Sequence, residues 1–156
     1  MQIQFLNTRQ IDRLMNLQNG TSSHYRKMAG ITTEEDLIEL FNSLADRHET
    51  LKRQLEDQLY SDQDISRDYP KKRSSYLGKI WQRVVIALLV NNRKAMLKYC
   101  RQAETKLVQH LPALHEKYVE RPAVKKLLED YDFLLKKNLE AINAVPTVRS
   151  SHKKTA

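Results

Sequence analysis

The stretch that decides the fold is KIWQRVVIALLVNNRKAMLKYC, residues 79–100. It contains the only tryptophan and the only cysteine of the chain, and an uninterrupted apolar run over 84–90. Asn91 and Asn92 interrupt it. Asparagine is weak inside helices and strong at their caps, because its side chain competes for nearby backbone hydrogen bonds. We therefore predict two helices, a crossover helix over 75–89 and a core helix that starts near Asn91.

The composition indicates an all-α protein. Three glycines and four prolines leave few breaks in 156 residues. Residues that favour helix dominate, and the alternation of β-branched residues that is typical of strands is missing. The length fits one domain with a substantial core. We predict one domain over 1–146, followed by a disordered basic tail over 147–156.

The sequence gives no indication of a membrane segment, a disulfide or a zinc site. The apolar run is far shorter than the ~20 residues of a spanning helix. The first residues, MQIQF, lack the basic start and the long apolar region of a signal peptide. A single cysteine cannot form an internal disulfide, and no cysteine pair indicates zinc. We expect a cytoplasmic protein.

Two helices are predicted before this stretch. The first covers 8–29, with Gly30 just past its end. The second starts where Thr32 and Glu35 have the spacing of a capping box. Its apolar seam has the helical spacing that favours packing against other helices, and His48 lies on that seam.

Prolines punctuate the second half of the chain. Pro112 lacks a backbone donor and would end or kink the core helix, so that 113–120 forms either a separate turn or a bent extension. Pro122 suits the first position of the last helix, and Pro146 closes it. Two helical hairpins joined by a long segment with its own helix predict a four-helix bundle with one long crossover, which is the ferritin-like connectivity.

Four stretches also carry a family resemblance. They are LMNLQNGTSSHYRKMA (14–29), LFNSLADRHETLKRQLE (40–56), LLVNNRKAMLKYCRQAE (88–104) and LLEDYDFLLKKNLEAI (127–142). Through them, residues 8–145 resemble a bacterial group of ferritin-like four-helix-bundle proteins catalogued as a domain of unknown function. In that family a tryptophan-bearing crossover helix ends at a short polar turn, and the next helix carries a cysteine and a glutamate four residues later, as Cys100 and Glu104 do here.

The resemblance implies the bundle fold and a link to stress responses, and no established activity. The chain departs from the family in two places. The family usually carries a glutamate in the first helix where Thr21 or Ser22 stands, and the segment between Pro112 and Pro122 is longer here.

A di-iron carboxylate site is the obvious catalytic hypothesis for such a bundle. It needs an inward glutamate on each of two helices and Glu-x-x-His on the other two. No glutamate of this chain has a histidine three residues later. We therefore predict a protein that is not an enzyme and has no cofactor.

His48 is the residue for which metal binding remains a hypothesis. We expect it to be a buried histidine, hydrogen-bonded to Gln18, a tyrosine or Asn138 on a facing helix. The alternative is a metal site, for which the candidates are His48, Asp46, Glu49 and Glu104. Cys100 is either a redox thiol or, as we favour, a small core residue.

Two basic clusters are candidates for non-specific binding of nucleic acid through its phosphates. They consist of Lys71, Lys72 and Arg73 in the connector and of Arg149, Lys153 and Lys154 in the tail. Short basic runs are more often solvated loops. This is therefore an alternative function.

The distribution of charge favours self-association. The net charge is +8, but the segment 34–59 is acidic while most of the other segments are basic. Such a contrast can be matched inside the fold or between copies. We predict a non-catalytic bundle that acts as an interaction module and forms a homo-oligomer, with a symmetric dimer as the default.

Overall fold

The structure is a computed structural model that describes residues 9–60, 75–117 and 120–147. Within these ranges the regular elements are all helices, so the all-α prediction is confirmed. They are α1 (Arg9–Ile31), α2 (Glu35–Tyr60), α3 (Ser75–Leu89), α4 (Arg93–Lys117) and α5 (Pro122–Ala144). None of these helices is long and apolar enough to cross a lipid bilayer.

The asparagine pair separates α3 from α4, as its cap preference predicts. Asn91 adopts a left-handed conformation with φ of 57°. Its N–H donates to Leu88 O at 3.1 Å, and the N–H of Asn92 donates to Ala87 O at 2.8 Å. These two bonds form a Schellman motif, which satisfies the last carbonyls of α3. The Asn92 side chain then accepts the Ala95 N–H at 3.1 Å and caps α4.

The turn between α1 and α2 differs slightly from the prediction. The Thr32 N–H donates to Met28 O at 3.0 Å, so helical bonding continues past Gly30 and α1 ends at Ile31. The Thr32 hydroxyl accepts the N–H of Glu34 at 3.2 Å, not that of Glu35 as in a capping box. Gly30 is tolerated in the last turn of α1 because helix ends fray. It does not occupy the position just past the helix end, where glycine is common.

Pro112 does not end α4, which continues to Lys117. Of the two predicted alternatives, the separate turn over 113–120 is wrong for 113–117. Proline removes one helical hydrogen bond. Leu111 and Leu114 on either side of it are 1% and 2% exposed, and burial of two leucine side chains offsets the loss.

The four long helices enclose a common interior. α1 packs against α2, α2 against α5, α5 against α4, and α4 against α1. α3 lies outside this ring, against α4 and α1. The buried apolar residues form two clusters, one at each end of the interior. Between them, the buried position on each long helix is polar. We call this zone the polar layer.

Candidate functional site

The polar layer consists of six side chains that are at most 3% exposed. They are Gln18, Thr21 and Ser22 from α1, His48 from α2, Glu104 from α4 and Asn138 from α5. Each lies where helical spacing otherwise places an apolar core residue. A buried polar group is unfavourable unless it is hydrogen-bonded, so the partners of these side chains decide what the layer does.

His48 and Glu104 form the centre of the layer. The histidine Nε2 lies 2.9 Å and 3.0 Å from the two carboxylate oxygens of Glu104, and both side chains are fully buried. An ionised carboxylate can only accept, so Nε2 carries the hydrogen and donates it. Asn138 Nδ2 donates to Glu104 Oε1 at 2.7 Å. The buried carboxylate thus has donors from two facing helices.

The other ring nitrogen of His48 also has a partner. The Tyr131 hydroxyl lies 3.3 Å from His48 Nδ1. With Nε2 protonated, a neutral ring accepts at Nδ1, so the tyrosine is the donor. Arg47, half-buried at the edge of α2, donates to Asn138 Oδ1 at 3.1 Å. Direct hydrogen bonds therefore join α2, α4 and α5 and reach the molecular surface at Arg47.

Aromatic rings fix the orientation of His48. The Tyr25 ring is stacked on it at 6.1 Å between centroids, and the Tyr131 ring meets it edge-on at 5.9 Å. Offset-stacked and edge-to-face pairs are the favourable geometries for such rings. These contacts fix the plane of the imidazole, and the hydrogen bonds to Glu104 and Tyr131 place Nε2 towards the first and Nδ1 towards the second.

Burial raises the pKa of three acidic groups around the layer. For the Tyr25 and Tyr131 hydroxyls, burial is the main cause and the negative charge of Glu104 is the next. For the Cys100 thiol, burial again comes first and Glu104 adds to it, while Arg101 opposes them. Its Sγ lies 3.8 Å from Met96 Sδ. A thiol held protonated in apolar surroundings is a poor nucleophile, and this favours the core-residue interpretation of Cys100.

Of the four predicted metal candidates, the structure brings two together. His48 and Glu104 meet in the layer. Asp46 and Glu49 lie on the outer side of α2, where both bind the Arg26 guanidinium. In the described part of the chain, no group of three or more histidine, cysteine or acidic side chains has the geometry to hold a metal ion.

The predicted partners of His48 were partly correct. Tyr131 is bonded to it, whereas Asn138 Nδ2, 3.4 Å from Nε2, is a second donor and bonds instead to Glu104. Its closest partner is Glu104, which the sequence suggested only as a metal candidate. One signal was present: Glu104 is four residues after Cys100 and three before Leu107, so it shares their buried helix face. The basic residues at 71–73, 149, 153 and 154 lie outside the described ranges.

Three side chains of α1 in or next to the layer have buried polar atoms that make no hydrogen bond of ordinary distance and angle. These are both amide atoms of Gln18, the hydroxyl of Thr21 and the hydroxyl of Tyr25. All three side chains are at most 1% exposed. Two of them nevertheless lie close to a polar group. A contact with Glu104 helps to raise the pKa of Tyr25, and a contact between Gln18 and the Tyr131 hydroxyl opposes the rise in the pKa of Tyr131.

Comparison with protein-family models, with curated proteins and with solved structures finds no match for this chain.

Proposed function

We propose that this protein is a non-catalytic, ferritin-like four-helix bundle that works by self-association, and that two copies pair through the outer face of α3. The main observation behind this proposal is the exposure of apolar side chains in the segment 84–90. Ile86, Leu89 and Val90 are 61%, 64% and 65% exposed. Val84 and Ala87 of the same run are buried against the long helices. A helix segment that is apolar on all sides is typical of one that is covered on all sides.

The exposed residues of α3 form one continuous face, which is long enough to pack against another helix. Its exposed residues recur at helical spacing: Lys79, Gln82, Arg83, Ile86, Leu89 and, just past the helix, Val90. A helix of 15 residues is about 22 Å long. Of these residues, the last three are apolar, whereas Lys79 and Arg83, nearer the amino terminus of α3, are basic.

A groove extends the apolar part of this face. It lies between the α1–α2 turn and the α3–α4 turn and has a volume of about 760 Å³. Ile31, Leu89 and Val90 are among the residues that line it. Exposed apolar side chains beside a groove are characteristic of protein interaction sites.

Charge complementarity favours a second copy as the partner. Glu34 lines the groove at the apolar end of α3 and is paired with Arg93, and the next residue, Glu35, is exposed at the start of α2. The basic Lys79 lies in the amino-terminal part of α3, four residues after its first residue, Ser75. In a two-fold antiparallel arrangement of two α3 helices, Lys79 of each copy approaches Glu35 of the other. One surface then supplies both halves of the interface, as a symmetric dimer requires.

The polar layer supports the non-catalytic part of the proposal. His48 and Glu104 are fully buried, so a dissolved substrate has no route to them without a structural opening. The one cysteine is held protonated. The cyclic packing of α1, α2, α5 and α4 supports the ferritin-like part.

The test compares two matched apolar-to-acidic substitutions. We expect wild-type protein to be a dimer at micromolar concentration in analytical ultracentrifugation, and Leu89→Glu to weaken the dimer at least tenfold, because the new carboxylate is desolvated at the contact. Phe133→Glu is the control, since Phe133 is equally exposed at 62% but lies on α5. The proposal would be falsified by a wild type that is monomeric. It would equally be falsified if Leu89→Glu dimerised with the same affinity as the wild type.

A charge exchange tests the antiparallel arrangement. Lys79→Glu alone places two acidic residues opposite each other and weakens the dimer. Glu35→Lys alone likewise opposes two basic residues. The double variant restores an attractive pair and recovers dimerisation. If the double variant instead loses as much dimer affinity as the two single variants together, the antiparallel arrangement is excluded. A contact through α3 in another orientation would then remain.

The metal-binding alternative has a specific observation behind it, because His48 and Glu104 converge. Elemental analysis of purified protein decides it. Iron, zinc or copper in a stoichiometric amount would favour the metal-binding alternative over the non-catalytic bundle proposed above. The nucleic-acid alternative concerns residues outside the described ranges, and filter binding at two salt concentrations tests it.

A further inference from the structure

Residues 75–115, which form α3 and most of α4, carry charge of almost one sign. They contain seven lysine or arginine residues and one acidic residue, Glu104. Glu104 is fully buried against His48, so this segment exposes no acidic side chain. α2 is the opposite case, with seven acidic and three basic residues. The two signs of charge are therefore concentrated on different helices.

The packing of the helices places these charges on opposite sides of the bundle. α2 and α4 each pack against both α1 and α5, so they face each other across the interior. Lys94 and Lys98 are exposed on α4, and Arg101, about one turn further, is half-buried. On α3, the exposed Arg83 guanidinium lies 5.9 Å from the centroid of the Tyr99 ring of α4, so its charge joins those of α4. We call Arg83, Lys94, Lys98 and Arg101 the basic face.

The charge of the basic face is not compensated within the described part of the chain. None of its four residues forms an ion pair with another described residue. Four of the seven acidic residues of α2 are already paired: Asp36 with Arg93, Asp46 and Glu49 with Arg26, and Glu56 with Lys52. An external anion therefore matches the basic face better than the acidic side of a second copy does.

The side chains beside the basic face favour nucleic acid over a lipid surface. Thr105 and Gln109 are exposed on α4, and hydroxyl and amide groups bind phosphate oxygens together with lysine and arginine. Helices that bind a lipid surface also insert large apolar side chains. No such side chain is exposed on α4 in the part of the helix that the structure describes. From Lys94 to Thr105 the face is about 16 Å long, which spans several phosphates of a duplex.

We propose that the basic face binds the phosphate backbone of a nucleic acid without reading its sequence. This surface is separate from the apolar face of α3 and from the basic clusters at 71–73 and 149–154. Contacts to phosphates carry no sequence information, and they make binding strongly dependent on salt because counterions are released. Four such contacts lower the affinity about 100-fold between 50 and 200 mM salt.

The test measures binding of a fluorescent DNA duplex of about 20 base pairs by anisotropy over this range of salt. We expect the wild type to show the 100-fold fall. The double variant Lys94→Gln with Lys98→Gln shows a fall of only about tenfold, because two contacts are lost. Lys125→Gln with Lys126→Gln is the matched control. It removes the same charge from exposed positions of α5 and keeps the wild-type fall.

A charge-preserving variant and a vesicle assay complete the test. Lys94→Arg with Lys98→Arg is expected to bind as the wild type does, since phosphate contacts need the charge. Vesicles of phosphatidylcholine with phosphatidylserine are expected to bind more weakly than the duplex at equal phosphate concentration. Circular dichroism checks that each variant is folded.

Four results would overturn the proposal. They are a wild type that does not bind the duplex at 50 mM salt, equal losses in the two glutamine pairs, a loss confined to Lys71→Gln with Lys72→Gln, and tighter binding to the vesicles than to the duplex. The second assigns binding to net charge, the third to the connector and the fourth to lipid. Analytical ultracentrifugation measures self-association independently, so this inference and the proposed function fail separately.

Discussion

At the scale of single residues, Glu104 is the most unusual choice in this chain. It is a fully buried carboxylate whose partners are His48 and Asn138. Replacing a buried polar pair with apolar residues is often neutral or stabilising, whereas removing one partner leaves the other uncompensated. The pair is therefore better explained as a device that fixes how the helices meet than as a source of net stability.

The prediction at this scale concerns the loss of one partner. Glu104→Ala deprives His48 and Asn138 of their common acceptor, and we expect the free energy of unfolding to fall by about 3 kcal/mol. Glu104→Gln preserves the shape and one acceptor and costs less. Urea denaturation followed by circular dichroism measures both. Glu129→Ala, at an exposed position of α5, is the control. A loss in Glu104→Ala no larger than in the control would contradict this role.

At the scale of elements, two adjacent asparagines have different tasks. Asn91 occupies the left-handed position that ends α3, and Asn92 caps α4. Asparagine tolerates the left-handed region better than other non-glycine residues, and it is also among the best N-caps. One residue type thus ends one helix and starts the next without an intervening loop.

The corresponding prediction separates the two tasks. Asn92→Ala removes the acceptor for the Ala95 N–H and lowers the free energy of unfolding by about 1 kcal/mol, while Asn92→Asp retains the cap. Asn91→Gly is neutral or stabilising, because glycine adopts positive φ without strain, and Asn91→Ala costs about 1 kcal/mol. Thermal and urea denaturation measure all four variants. A destabilised Asn91→Gly with an unaffected Asn92→Ala would contradict this assignment.

At the scale of the whole molecule, the polar layer divides the interior into two apolar clusters. Three groups around it hold their protons more tightly in the folded state. Their ordinary pKa values are 9.0 for Cys100 and 10.0 for Tyr25 and Tyr131, and all three are raised on folding. The interior favours the neutral forms of these groups. The free energy of unfolding is therefore expected to fall at alkaline pH.

The sign of this linkage gives a prediction. Below pH 9 both the folded and the unfolded chain keep these protons, so the contribution is fully present. As the pH rises through 9 and 10, the unfolded chain releases protons that the folded chain retains. The free energy of unfolding then falls, by up to about 1.4 kcal/mol per pH unit for each group. Urea titrations between pH 8 and 11 measure the fall.

Two variants check the cause of the alkaline loss. Tyr25→Phe and Cys100→Ala each remove one titrating group, so the fall of stability with pH becomes shallower in both. Phe133→Leu, at an exposed position of α5, removes no titrating group; it is the control and leaves the slope near that of the wild type. Identical slopes in all variants would assign the loss to other groups.

The sequence by itself determined the helical class, the break at Asn91 and Asn92, the start of the last helix at Pro122 and most core positions. These features depend on the backbone preferences of each residue and on spacing within one or two turns, which act locally. Only the tertiary structure decided that α4 continues through Pro112, since the burial of Leu111 and Leu114 comes from packing against other helices.

The tertiary structure also decided which polar side chains meet. His48 and Glu104 are 56 positions apart in the chain, whereas Asp46 and Glu49, close to His48 in sequence, turn outward to Arg26. A pattern along one helix shows which side faces inward. It does not show which residue of a facing helix lies opposite, because the rotation and axial position of each helix follow from packing the whole interior.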